Sequence, residues 1–296
     1  MQQNWVLMAT KGKVFFDFII FSNLFIACCA VAMCLSTVAF FNLGKLPSNY
    51  VAFVFFSTLS SYSIHWYLTN EEVETTASRT DWLRQHKKVH AFFFLVSAIG
   101  TLIFLIRLKP YWIYILPAVG LTLLYTAPKF PHRFFRSLQR YILGKTFLLA
   151  AMWTYVTTAL TFFVQQVAWQ TSHFVYVAAR FALIFAICIL FDLRDKQFDR
   201  QTGIKSLVTI LPLEKIKIIF TLFIIVNIAG AYILYTYTQD IIHFVFLSLP
   251  ALLTYLLYPF AIKSKNDYLF YFILDGLMAL TSVLYFMKTV FEMYIQ

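Results

Sequence analysis

Charge is what this sequence has least of. Only 12% of its 296 residues are charged, against roughly 25% in an ordinary soluble domain. With 61% hydrophobic and 20% aromatic residues, the side chains exceed what one soluble core can hide, so the solvent of this chain is lipid. Acid is scarcer than base, with 13 Asp and Glu against 24 Lys and Arg and a net charge of +11. In a soluble protein that excess would suggest nucleic acid, but no segment forms a basic, water-exposed domain. No nucleic-acid partner is expected. The four cysteines, Cys28, Cys29, Cys34 and Cys188, all lie in apolar runs without CxxC or Cys/His spacing. That argues against zinc and disulfides and for packing. There is no Gly-rich phosphate loop, no HExxH and no nucleophile elbow.

Long apolar runs are what the chain does have. A membrane-crossing helix needs about 20 mostly apolar residues. Runs at 14–41, 50–68, 89–106, 111–125, 141–164, 173–191, 216–237, 241–261 and 268–290 predict nine helical spans in a single domain over residues 1–296. Helices are expected because lipid leaves no water to satisfy exposed backbone groups. The fourth run is short and holds Pro117. Lys11 and Lys13 precede the first run, which outlasts the roughly 7–15 apolar residues of a cleavable signal.

Basic residues report orientation. With a cytoplasmic N-terminus, 19 of the 24 fall in inside segments, while Lys45, Arg107, Lys109 and Lys288 fall outside and Arg180 lies within a span. The bias follows the positive-inside rule, so the N-terminus is expected inside and the C-terminus outside. Three polar inside loops, 69–88, 127–144 and 192–215, form a mouth where any chemistry should sit.

The few acids gather there. Glu71, Glu72, Glu74 and Asp81 fall in the first loop, and Asp192, Asp195 and Asp199 at the end of the sixth span. The spacing of the last three, i, i+3 and i+7, puts them on one helix face. Stacked like charges repel, and a divalent cation relieves that. Mg²⁺ favours one or two carboxylates plus phosphate oxygens. Neutralisation by Arg194, Lys196 and Arg200 at a solvated helix end is the competing reading.

The stretch Asp192-Leu193-Arg194-Asp195-Lys196-Gln197-Phe198-Asp199, with Gly203-Ile204-Lys205 after it, resembles the second aspartate-rich motif of the UbiA-type intramembrane prenyltransferases. That family has nine transmembrane helices, a cytoplasmic N-terminus and a cytoplasm-facing site, matching the topology above. The resemblance implies an all-α integral membrane bundle. It implies transfer of a polyprenyl group from its diphosphate to a lipophilic, commonly aromatic acceptor. Mg²⁺ would sit at Asp192, Asp195 and Asp199, with Lys145, Lys205, Lys129, Arg133 and Arg194 as candidate diphosphate ligands. A bacterial cytoplasmic membrane is the expected location.

The family's first motif, NDxxD at the end of the second span, has no plain counterpart. Holding the helix position puts Ser63 and His65 there and loses the motif. Sliding outward offers Asn70-Glu71-x-x-Glu74. A relative that binds an isoprenoid or lipid without catalysis therefore stays open beside the enzyme, and a small transporter is a third class. His65 stands open as a base, a metal ligand or a merely hydrogen-bonded ring. Arg180 and Asp275, ionisable at bilayer depth, are expected to face inward, with pairing between them left open.

Overall fold

The computed structural model describes residues 2–68, 77–126, 144–201 and 206–295, and every described element is helical. In chain order they are α1 (Gln2–Phe21), α2 (Leu24–Phe41), α3 (Ser48–Tyr67), α4 (Ala77–Gln85), α5 (Lys87–Arg107) and α6 (Trp112–Thr126). They continue with α7 (Lys145–Val164), α8 (Thr171–Gln201), the short α9 (Leu207–Ile210), α10 (Leu213–Thr238), α11 (Ile241–Lys263) and α12 (Leu269–Tyr294). Among the described residues seven helices are long and apolar enough to cross a membrane: α2, α5, α7, α8, α10, α11 and α12. The other two expected spans, α3 and α6, fall short for visible reasons. α3 carries Ser57, Thr58, Ser60, Ser61, Ser63 and His65, and α6 has 15 residues with Pro117 inside.

The 14–41 run is not one helix. Asn23 takes a left-handed conformation, φ 71°, and divides α1 from α2. Asn tolerates this region because its short amide bonds locally, and here both amide atoms are used. Arg79 Nη2 donates to Asn23 Oδ1 at 2.9 Å, and Asn23 Nδ2 meets His90 Nδ1 at 3.5 Å. The sixth span, in turn, is longer than its apolar run. α8 continues as helix to Gln201, so the three aspartates share one rigid element.

α7 and α8 form the interior, with most of their lengths buried, whereas α5 lies at the periphery. α8 packs on α7, α10 and α11, α2 runs along α3 and α12, and α3 pairs with α5. Two wide π-helical turns interrupt the regular helices, Tyr155–Ala159 in α7 and Leu269–Leu274 in α12. Such turns loosen the backbone ladder, and in α7 neighbouring helices supply donors. Tyr50 Oη donates to the Val156 carbonyl at 2.9 Å and Thr37 Oγ1 to the Thr157 carbonyl at 3.2 Å. Polar groups thus tie α2 and α3 to α7 where lipid offers no alternative.

Arg180 and Asp275 both face inward, 5% and 7% exposed, but they are not a pair. Arg180 Nη2 donates to Ser36 Oγ at 2.9 Å and to Tyr176 Oη. The arginines that act on Asp275 are Arg79 and Arg194.

The α8–α10 seam depends on close approach. Asn227 Nδ2 donates to the Ala179 carbonyl at 2.9 Å, and one turn on, a Cβ at Gly230 would come 2.8 Å from Ala179 Cβ. Gly230→Ala is therefore expected to destabilise by about 1–3 kcal/mol through overpacking. Gly120→Ala, where a Cβ meets nothing within 4 Å, should be neutral or stabilising by up to ~1 kcal/mol. Thermal denaturation of the two variants in detergent, side by side, checks the contrast.

Candidate functional site

Lys145 opens α7, and its ammonium sits among the aspartates of α8. Nζ lies 3.5 Å from Asp192 Oδ1, 4.0 Å from Asp195 Oδ2 and 3.3 Å from Asp199 Oδ1. The neighbouring Thr146 donates its hydroxyl to Asp192 Oδ2. Asp195 receives a two-pronged bond from Arg194, 2.8 Å from Nε and 3.3 Å from Nη2. The Arg194 guanidinium also lies over Phe270 at 4.6 Å and Tyr271 at 4.7 Å. Three carboxylates and two cations therefore form one connected cluster with a residual charge of one acid. Asp192 and Asp199 are buried, which is affordable only because each is bonded.

Beside this cluster is a cavity of about 140 Å³. α3 contributes Tyr62, His65 and Trp66 to its wall, α6 Tyr125, α7 Lys145 and Trp153, α8 Asp192, Arg194 and Asp195, and α12 Tyr271 and Asp275. A second cavity of about 210 Å³, more apolar, adjoins it and shares Ser61, Tyr62, Thr122, Met152 and Trp153. The bond from Trp153 Nε1 to Tyr62 Oη, 3.1 Å, stands in that shared wall. One chamber thus presents charge and aromatic faces, and the next presents mainly hydrocarbon.

The chamber wall is braced from outside the spans. Arg79 of α4 is buried between two cavity-lining rings, its guanidinium carbon 4.0 Å from the Trp66 centroid and 3.9 Å from that of Tyr271. Its backbone N–H donates to Asp267 Oδ2 at 2.9 Å. Burial lowers the Arg79 pKa from its ordinary value, with Tyr271 and Asp267 opposing. Cation–π stacking of this kind, desolvated, contributes about 2 kcal/mol.

Of the residues singled out in the sequence, Asp192, Asp195, Lys145 and Arg194 come together on the cavity wall. Asp199 joins the same cluster through Lys145 but does not line the cavity. Lys129, Arg133, Lys205 and the Asn70, Glu71 and Glu74 alternative lie outside the described residues. The described part of α3 brings no carboxylate to the wall. Ser63 is buried, and His65 lines the cavity stacked 5.6 Å from Tyr125. Among the described residues no group of three or more His, Cys, Asp or Glu is arranged to hold a metal ion. Lys145 Nζ stands between the carboxylates where a cation would otherwise balance them. Thr146 was not marked by sequence, although its place next to Lys145 was the available signal.

No family model matches this chain, and no curated protein matches it. Among solved structures it is similar to the apo structure of a UbiA homolog from Aeropyrum pernix K1, at 12% identity and a TM-score of 0.58. The match covers 90% of this chain and 98% of that one. At that identity the likeness speaks to fold, and the conclusion is architectural: this chain is an all-helical integral membrane protein with the UbiA-type fold.

Proposed function

We propose that the chain binds a polyprenyl diphosphate at the Asp192–Asp195–Lys145–Arg194 wall and transfers its prenyl group to a lipophilic acceptor. The observation that carries this reading is the juxtaposition of the two chambers. Charged side chains suited to a diphosphate and its counter-ion line one, and an apolar space suited to a hydrocarbon chain adjoins it. In the transfer the allylic C1–O bond breaks and the diphosphate leaves with the electron pair. The acceptor atom bonds to C1 and gives up a proton.

Among the described residues Lys145 and Arg194 are the cations that line the cavity, and both can donate to diphosphate oxygens. The donor set fits Mg²⁺ only in the form that ion prefers, with one or two carboxylates and the remaining oxygens from phosphate and water. Asp192 and Asp195 are the carboxylates that would hold it, and the ion would draw negative charge from the departing diphosphate. Tyr62, Trp66, Trp153 and Tyr271 present faces that favour an allylic cation over water. Asp199 acts at one remove, by holding Lys145.

A second reading, an isoprenoid-binding protein without transfer, draws on a specific observation. Lys145, Thr146 and Arg194 already engage the acids, and the described part of α3 adds none. Binding of a non-hydrolysable prenyl thiodiphosphate to the detergent-purified chain separates the readings. Transfer chemistry expects Mg²⁺-dependent binding that Asp192→Asn and Asp195→Asn each abolish. Binding indifferent to Mg²⁺ and to both variants supports the second reading, and no binding at all sinks both.

The Lys145 cluster yields a further expectation. Lys145→Ala removes the ammonium that the buried Asp192 and Asp199 share and is expected to cost about 3–5 kcal/mol. Added Mg²⁺ should restore more of the melting midpoint in this variant than in the parent, since the ammonium no longer competes. Equal responses to Mg²⁺ would remove the carboxylates from consideration as metal ligands.

A further inference from the structure

Asp275 sits in the cavity wall without a hydrogen bond to any described residue. It is 7% exposed and shares the wall with Tyr62, Cys188 and Met278. The other buried acids all have partners. Asp192 bonds Thr146 and Lys145, Asp199 bonds Lys145, and Asp267 accepts the Arg79 N–H. Among the described residues Asp275 has no hydrogen bond and no ion pair. Arg79 and Arg194 act on it electrostatically, but their own bonds go to Asn23 and Asp195. A carboxyl at this depth with no hydrogen-bond partner is costly, and its position is set by the wide turn Leu269–Leu274 immediately before it. In a regular helix one residue fewer would rotate it by roughly 100° around the axis.

We infer that Asp275 is the anchor for the second ligand of the cavity, accepting a hydrogen bond from an O–H or N–H group on it. This deepens the reading above by assigning the acceptor a donor group at Asp275, a cavity-wall carboxyl that neither Lys145 nor Thr146 engages. Three features converge on that ligand class. The group is an acceptor of hydrogen bonds when ionised. Burial disfavours a bare charge at this position, and a neutral donor satisfies a carboxyl oxygen without adding a cation. The flanking walls, Tyr62, Trp153 and Tyr271, are aromatic, so the ligand portion carrying the donor is a flat, apolar group. Asp275 is a positioning residue in this scheme and does not touch the diphosphate.

The test compares 4-hexylphenol with its methyl ether, 4-hexylanisole, which keeps the ring and tail but loses the O–H. The readout is the concentration of each giving half-maximal thermal stabilisation of the full-length chain in detergent. Because micelle partitioning is common to parent and variants, the ratio within each protein is compared. The parent should favour the phenol at least ~5-fold, the size of a net hydrogen bond of about 1 kcal/mol. Asp275→Leu should erase the preference, and Asp275→Asn, which keeps one acceptor oxygen, should reduce it by roughly threefold or more. Should Asp275→Leu fail to purify as a folded protein, the Asn variant decides alone. Equal stabilisation of the parent by phenol and ether, stabilisation by neither, or an unchanged preference in the variants overturns the inference. Thiodiphosphate binding is measured in the same preparations. Its loss in the parent strikes the prenyl-donor reading, whereas its persistence beside a lost phenol preference strikes only the role of Asp275.

Discussion

Lys145 Nζ lies within 4.0 Å of all three aspartates of α8, and the arrangement of the bundle's working end follows from that contact. A carboxylate at a buried position has to be paired or protonated, and three on one helix face repel as well. The ammonium meets both demands only because α7 begins beside the last turns of α8. Thr146, the next residue, takes up an oxygen of Asp192 that Lys145 does not hold. The two most deeply packed helices are thereby pinned at their charged ends, and the aromatic wall assembles on a frame whose electrostatics are already balanced.

Pairing also limits what the cluster can do. An isolated triad of aspartates would draw any divalent cation, whereas one with a lysine at its centre has a resident counter-ion. A ligand has to offer the ammonium a better acceptor before carboxylate oxygens are released to a metal. A diphosphate does that, since it brings strong acceptor oxygens and charge of the right sign. Binding of metal and of diphosphate would then be coupled: each makes room for the other, and neither is favoured alone. Arg194 obeys the same logic, being held by Asp195 and by the faces of Phe270 and Tyr271 at once.

Much of this architecture was legible in the sequence because lipid imposes simple rules on it. Run length gave the helices, and the spacing of Asp192, Asp195 and Asp199 gave their common face. What escaped reading depends on partners distant in sequence. Nothing local distinguishes Asn23 as a helix break, since its left-handed turn is supported by Arg79 and His90. The inward direction of Arg180 and Asp275 followed from the cost of charge in lipid, but their pairing did not. Ser36 and Tyr176 satisfy Arg180 instead, and hydroxyl partners are common enough in any membrane sequence to carry no signal. The wide turns in α7 and α12 are likewise invisible locally, because they depend on how neighbouring helices press and bond against the backbone.

The chamber is asymmetric, and the asymmetry carries an argument about direction. Cations come from α7 and α8, carboxyls from α8 and α12, rings from α3, α6, α7, α8 and α12, and the adjoining apolar chamber opens past the Trp153–Tyr62 bond. A ligand with one charged and one hydrocarbon end has one favourable way to lie in such a space: charge against Lys145 and Arg194, hydrocarbon past Trp153. Reversing it would bury charge among apolar side chains at a cost of several kcal/mol. The same wall also separates the two ends of any reaction within it. On the proposed reading a departing anion would stay beside Lys145 and Arg194, while the atom it leaves would face the aromatic wall. Selectivity would then rest on the group held opposite that atom, and among the described residues Asp275 is the cavity-wall carboxyl that lies outside the α8 triad.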